Sequence, residues 1–171
     1  MKEFETDSHG GTAAQCKTTT RRLVVNAAFL KDIKDDNHDL KVLLDKITPL
    51  ILYQQTAKNH WPELIALIGD LRDQLALHFS LEEAYGYFDD AVVSSPWLSV
   101  IAESLRNEHP RLFSRILDLA DQSLEICSDS HGQVSQFIRR FDDFRRAFEM
   151  HEEKELKLIL DSLDDDIGVG D

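Results

Sequence analysis

His151 and Glu155 stand four residues apart in FRRAFEMHEEKELKLIL, residues 144–160, where the surrounding pattern asks for hydrophobic side chains. Phe137, Phe141, Phe144, Phe148, His151, Glu155 and Leu158 follow one another at alternating steps of four and three. That is the spacing of a helix seam facing a bundle core. An earlier segment repeats the substitution. Leu64, Leu67, Leu71 and Leu75, with Ile68 beside them, lead to His78, Glu82 and Tyr85. Residues i and i+4 share one helix face. Each pair therefore sends an imidazole and a carboxylate toward the same interior, and a buried carboxylate without a partner is costly.

Two further histidines extend the set. His109 continues the series Leu98, Ala102, Leu105, Leu112, Ile116 and Leu119. Pro110 follows it and must bend the helix or start a new segment. His38 lies in DDNHDLKVLLDKI, at the edge of the stripe formed by Ile33, Leu40, Leu44, Ile47 and Ile51. Counted from the nearest turns, the four histidines differ in height by roughly one helical turn or less in an antiparallel arrangement. Taken singly, a core histidine, an intrahelical His–Glu ion pair or a water-filled gap explains each position. Their convergence on one layer points to a metal site.

The elements that position this layer are helices. A first helix is expected from about residue 21 or 30 to 58, kinked or divided at Pro49. Asn59-His60-Trp61-Pro62 marks a turn, with Pro62 in the first turn of a helix reaching about Asp90. Ser95 is a candidate N-cap before Pro96, opening a helix to about Cys127. Residues 128–132 form the last turn, and a final helix runs to about Leu163. The expected fold is all-α, an up-down-up-down antiparallel four-helix bundle over residues 30–163. Residues 1–29 form an N-terminal arm or extension, a candidate contact for a protein partner, and residues 164–171 an acidic tail.

Bulk properties agree. The 171 residues are 42% hydrophobic, with only 7 Gly and 4 Pro, which suits one helical domain with a real core. A formal net charge of -13 disfavours nucleic acid and anionic membrane surfaces as partners. The sequence has no apolar run long enough to span a bilayer and no signal-peptide core at its start. Cys16 and Cys127 make no metal-binding pair. A cytoplasmic location is the plain expectation.

Six side chains, His38, His78, Glu82, His109, His151 and Glu155, exceed the needs of one tetrahedral zinc. They suit two iron ions of higher coordination bridged by carboxylates, with manganese or zinc as alternatives. In this order, with HFSLEE, NEHPRL and HEEKE around them, these residues resemble the hemerythrin-like, HHE cation-binding domains over roughly residues 30–162. The resemblance implies a non-haem di-iron centre, bridged by two carboxylates and an oxo or hydroxo group, that meets O2, NO or peroxide. Oxygen-carrying members have five histidines. Here Leu105 and Phe113 stand one turn from His109, and the last carboxylate is Glu at four residues rather than Asp at five. Reversible oxygen transport is therefore not expected, and one ion has a more open surrounding. Glu83, Glu108 and Glu152 lie off the seam and are expected to face outward or to support the ligands.

Binding or sensing of oxygen, nitric oxide or redox state is the expected function. The alternatives are a di-iron enzyme consuming peroxide or nitric oxide, and a structural module stapled by metal. Tyr85 is either a core aromatic or a hydrogen-bond donor near the metal ions. Phe79 and Phe148 are expected to wall the site. His9, His60 and His131 fall in the arm and the turns, away from it.

Overall fold

A computed structural model describes residues 37–85, 96–127 and 130–167. Among these, every regular element is helical. Helix α1 covers 37–51. Pro49 does not stop it at once. The helix runs two residues further, and the chain bends at Leu52 and Tyr53 before α2, Gln54–Asn59. Pro49 cannot donate to the carbonyl four residues back, so the last turn is weakened and ends early. His60 alone separates α2 from α3, Trp61–Tyr85. Pro62 is the second residue of α3, where its missing N–H costs nothing.

After the undescribed residues 86–95, which include Ser95, a 3-10 turn spans Pro96–Leu98 and passes into α4, Ser99–Arg106. Asn107 and Glu108 form a break, and α5 covers His109–Glu125. Pro110 thus starts a new segment. The Glu108 carbonyl accepts from the N–H groups of Arg111 and Leu112 at 3.1 and 3.0 Å. Helix α6, His131–Ile167, passes the expected stop at Leu163. The arm, with His9 and Cys16, lies outside the described residues, as do 168–171. No helix of the described residues is long and apolar enough to cross a membrane.

Helix α3 packs on α5, α5 on α6, α2 on α3 and α6, and α4 on α6. The main core joins Leu40, Ile47 and Ile51 of α1, the α3 series Leu64 to Leu75, Leu112, Ile116 and Leu119 of α5, and four phenylalanines of α6. Phe137, Phe141 and Phe144 are fully enclosed. Each buried phenylalanine contributes on the order of 1.5–3 kcal/mol. Trp61 closes one end, its ring edge-on to Phe137 at 5.1 Å and its indole N–H donating to the Ser123 carbonyl at 3.2 Å. Trp97 stays exposed.

A second, smaller apolar cluster holds Leu98, Ala102, Leu105 and Leu158. Along α6 the order is Phe148, His151, Glu155, Leu158. Along α4 and α5 it is Leu105, His109, Leu112. A polar layer therefore separates the two apolar clusters.

Candidate metal centre

Three helices build the polar layer. His78 and Glu82 come from α3, His109 from the first residue of α5, and His151 and Glu155 from α6. All five are buried, none more than 3% exposed. The seam spacing puts them there, because each replaces a hydrophobe at a core position. Phe79 stacks on His109 at 4.4 Å and meets His151 edge-on at 6.1 Å, while Phe148 meets His78 edge-on at 6.0 Å. These two rings wall the layer.

The donor atoms fall into two groups that share a residue. His109, His151 and Glu155 form one, and His78, Glu82, Glu152 and Glu155 the other, with each group's donors within 4.8 Å of one another. Glu155 belongs to both. Its Oε1 is 2.9 Å from His151 Nε2 and 3.3 Å from His109 Nε2. Glu82 reaches across as well, with Oε1 3.2 Å from His78 Nε2 and Oε2 3.4 Å from His109 Nε2. Two donors each about 2.1 Å from one cation stand about 3.0 Å apart at a right angle and about 3.4 Å apart at the tetrahedral angle. The observed separations match that range.

Two atoms test whether a cation fits. Glu82 Oε2 is buried without a hydrogen-bond partner. His151 donates from Nδ1 to Glu108 Oε2 at 3.1 Å. That bond fixes the neutral ring with its lone pair on Nε2. Nε2 then faces the Glu155 carboxylate at 2.9 Å, outside hydrogen-bond geometry. Lone pairs facing each other so closely need a proton or a cation between them. Lys154 holds the other Glu108 oxygen at 2.8 Å, so the support is itself anchored.

Without metal, protons take that place. Burial, together with the Glu155 charge, pushes the Glu82 carboxyl up to about 9. Burial also opposes ionisation of Glu155, but the His109 hydrogen bond and the attraction of a charged His151 outweigh it and hold that carboxyl down at about 2. Burial disfavours the His151 imidazolium, yet Glu155 and Glu108 overcome it and raise its pKa. One carboxylate is thus neutral and its neighbour charged, the pattern of a site built for more positive charge than the chain itself supplies.

The structure brings together five of the six expected ligands. His38 is exposed near the start of the described part of α1 and belongs to neither group. Leu40 and Ile47 of the same helix point into the core. At about 100° per residue, His38 lies about 160–180° around the helix from both, so the buried stripe carries it outward. Tyr85 is the last residue of α3 and its side chain lies outside the described residues. His60 sits in its turn, Nδ1 3.1 Å from Glu63. Glu83 Oε1 is 3.7 Å from His109 Nδ1, too far for a hydrogen bond.

Glu152 is the addition. It lies 3.1 Å from His78 Nε2 with its side chain 28% exposed. A strict heptad passes it over. A straight helix, however, drifts by about 20° per heptad. By two heptads beyond Phe137, positions 151 and 152 straddle the inward direction, at about 40° and 60° to either side. A period of 3.6 rather than 3.5 puts it about as near the inward direction as Leu158.

No family model, curated protein or solved structure matches this chain.

Proposed function

We propose that this chain is a non-haem di-iron protein of the hemerythrin-like kind, binding or sensing O2, NO or redox state at a carboxylate-bridged centre. The observation that carries this reading is the pair of donor groups joined by Glu155 and spanned by Glu82. One ion would take His109, His151 and Glu155, the other His78, Glu82, Glu152 and Glu155. Nitrogen and carboxylate donors in this ratio accept iron, with manganese or zinc as competitors. An iron pair would supply a redox-active place for a small ligand. The four-helix up-down-up-down arrangement is part of the proposal, supported by the single-residue link at His60 and by the packing of α3 on α5 and α5 on α6.

The chain's own groups define what the site does. Phe79 and Phe148 pack against the imidazoles and help bury the layer, which strengthens each charge interaction within it. Glu108 and Lys154 hold the His151 ring in place. Glu82, protonated in the metal-free chain, would release its proton to solvent in order to hold a cation.

A second reading has one observation in its favour. The layer lies between two apolar clusters and ties α3, α5 and α6 together, as a structural staple would. Metal content per chain, measured with the ultraviolet-visible spectrum before and after dithionite and air, separates the two. About two irons with an absorption that bleaches and returns supports the redox-active centre. Tightly held zinc without a spectral response supports the staple. Consumption of peroxide or nitric oxide over many turnovers, lost in His78→Ala, would mark an enzyme instead.

A further inference from the structure

The two halves of the centre are unequal. Setting aside the shared carboxylates Glu82 and Glu155, one side keeps His109 and His151, while the other keeps only His78 from the deeply buried set. A divalent cation held by one terminal imidazole and two shared carboxylates would exchange readily. Glu152 is the group that equalises them. It sits 3.1 Å from His78 Nε2, and it alone of the six grouped side chains retains substantial exposure.

The exposed side of Glu152 faces a cavity of about 520 Å³ between α1 and α6. Phe148, the ring packed against His78, shares its wall. Asp45, Glu149, Glu152 and Glu153 line it against Lys41 and Arg145. Four carboxylates facing two cations make the cavity attractive to positive charge. Arg145 is further engaged by Asp142 and Glu149, which neutralises it in part. Behind Glu152 lies Glu82, whose Oε2 is buried and has no hydrogen-bond partner. A second cavity, about 220 Å³, opens on the other flank at His109 and Phe79. It carries one carboxylate, Glu83, which belongs to neither donor group, and the Phe79 ring stacked on His109.

We infer that Glu152 is a terminal metal ligand on the His78 side and that the cavity between α1 and α6 is the port through which that ion enters. The inference rests on the two-ion reading above. Glu152 receives the cation at the cavity wall, swings no further than its own side chain, and hands the inner face of the ion to His78, Glu82 and Glu155. The His109 side fills independently of Glu152.

Anaerobic Fe(II) titration of the full chain, with metal counted after dialysis, tests the ligand. The unaltered protein should hold two ions. Glu152→Gln should keep one tight ion and weaken the second by more than about 100-fold, beyond the loss that supporting groups usually cause. Two tight ions in Glu152→Gln overturn the inference and leave the two-ion reading standing. Fewer than two ions in the unaltered protein overturn both. Circular dichroism and the count of the remaining ion show that the variant is folded. The port is tested by the rate at which a chromogenic chelator removes Fe(II). Thr48→Trp, on the α1 wall, should slow release of one ion at least 10-fold without changing the final count. Ser80→Trp, at the other cavity, should leave that rate unchanged. Slowing of that ion by Ser80→Trp alone overturns the port.

Discussion

The two oxygens of Glu82 face two different histidines: Oε1 lies 3.2 Å from His78 Nε2 and Oε2 3.4 Å from His109 Nε2. One carboxylate therefore spans the layer from α3 to α5. In the metal-free chain this carboxyl is already neutral near pH 7, since burial pushes it up to about 9. Glu82→Gln keeps the shape and removes only the ability to ionise. The metal-free variant should match the parent in urea stability near pH 4.5 and exceed it at pH 7 by as much as about 3 kcal/mol, because Gln needs no proton uptake on folding. Its metal titration should instead show loss of the bridged pair. A variant that unfolds but still binds two ions when rescued by metal would contradict the bridging role.

Protons and metal compete for the same atoms, so pH should act in opposite directions on metal-free and loaded protein. The folded Glu82 carboxyl lies above its ordinary value of 4.5. Its contribution to the metal-free chain is full below about pH 4.5 and is lost as pH rises toward 9, with a slope of at most about 1.4 kcal/mol per pH unit. Glu155 lies below 4.5. Its contribution is full above that value and is lost as pH falls toward 2. Urea midpoints of the metal-free protein should decline between pH 5 and 8, and Glu82→Gln should flatten that decline. Metal affinity should rise over the same range, with proton release on binding detectable in a weakly buffered titration.

Most of this layer can be read from the spacing of side chains. Phe137 to Leu158 is buried at every expected step, and so are Leu98 to Leu119 and the His78–Glu82 pair. Burial at a core position is a consequence of period, and period is written in the sequence. His38 and Glu152 are the two places where period alone misleads. Counting residues brings His38 to the height of the other histidines, but Leu40 and Ile47 take the core face of α1 and leave it exposed. Glu152 sits one residue off the seam and is drawn in because a straight helix turns more slowly than a heptad, falling about 20° behind every seven residues. The break at 107–108 is also a matter of local chemistry. Pro110 fits the first turn of a new helix as well as it kinks an old one, and only the packing of Leu105 and Leu112 into separate clusters decides between them.

Glu108 stands outside both donor groups, yet it sets the orientation of His151. It accepts from His151 Nδ1 at 3.1 Å and from Lys154 at 2.8 Å. Burial works against its charge, but the Lys154 and His151 hydrogen bonds lower its pKa, so it is a carboxylate over the neutral range. Glu108→Ala should free the imidazole to rotate and to take the other tautomer. The expected result is a loss of about 10–100-fold in metal affinity, with little change in metal-free stability because the residue is partly exposed. Lys154→Met should act in the same direction and more weakly. Nitrogen-15 chemical shifts of His151 in the metal-free protein would report the tautomer directly. An unchanged shift and affinity in Glu108→Ala would remove Glu108 from the centre.

Removal of metal should loosen one part of the protein before the rest. The small cluster of Leu98, Ala102, Leu105 and Leu158 touches the main core only across the polar layer. Its four side chains bury far less apolar surface than the phenylalanine stack of α6, so its own packing contributes correspondingly less. With metal bound, each site adds about 2.7 kcal/mol when free metal is 100-fold above its dissociation constant. Chelation withdraws that and leaves clustered carboxylates facing one another. The thermal midpoint should fall by several degrees. Amide exchange should rise first in α4 and in residues 151–160, while 137–144 stays protected, because local opening follows local packing. Equal acceleration along the whole of α6 would mean that the layer is not a separate unit of stability, and an unchanged midpoint would mean that no metal had been held there.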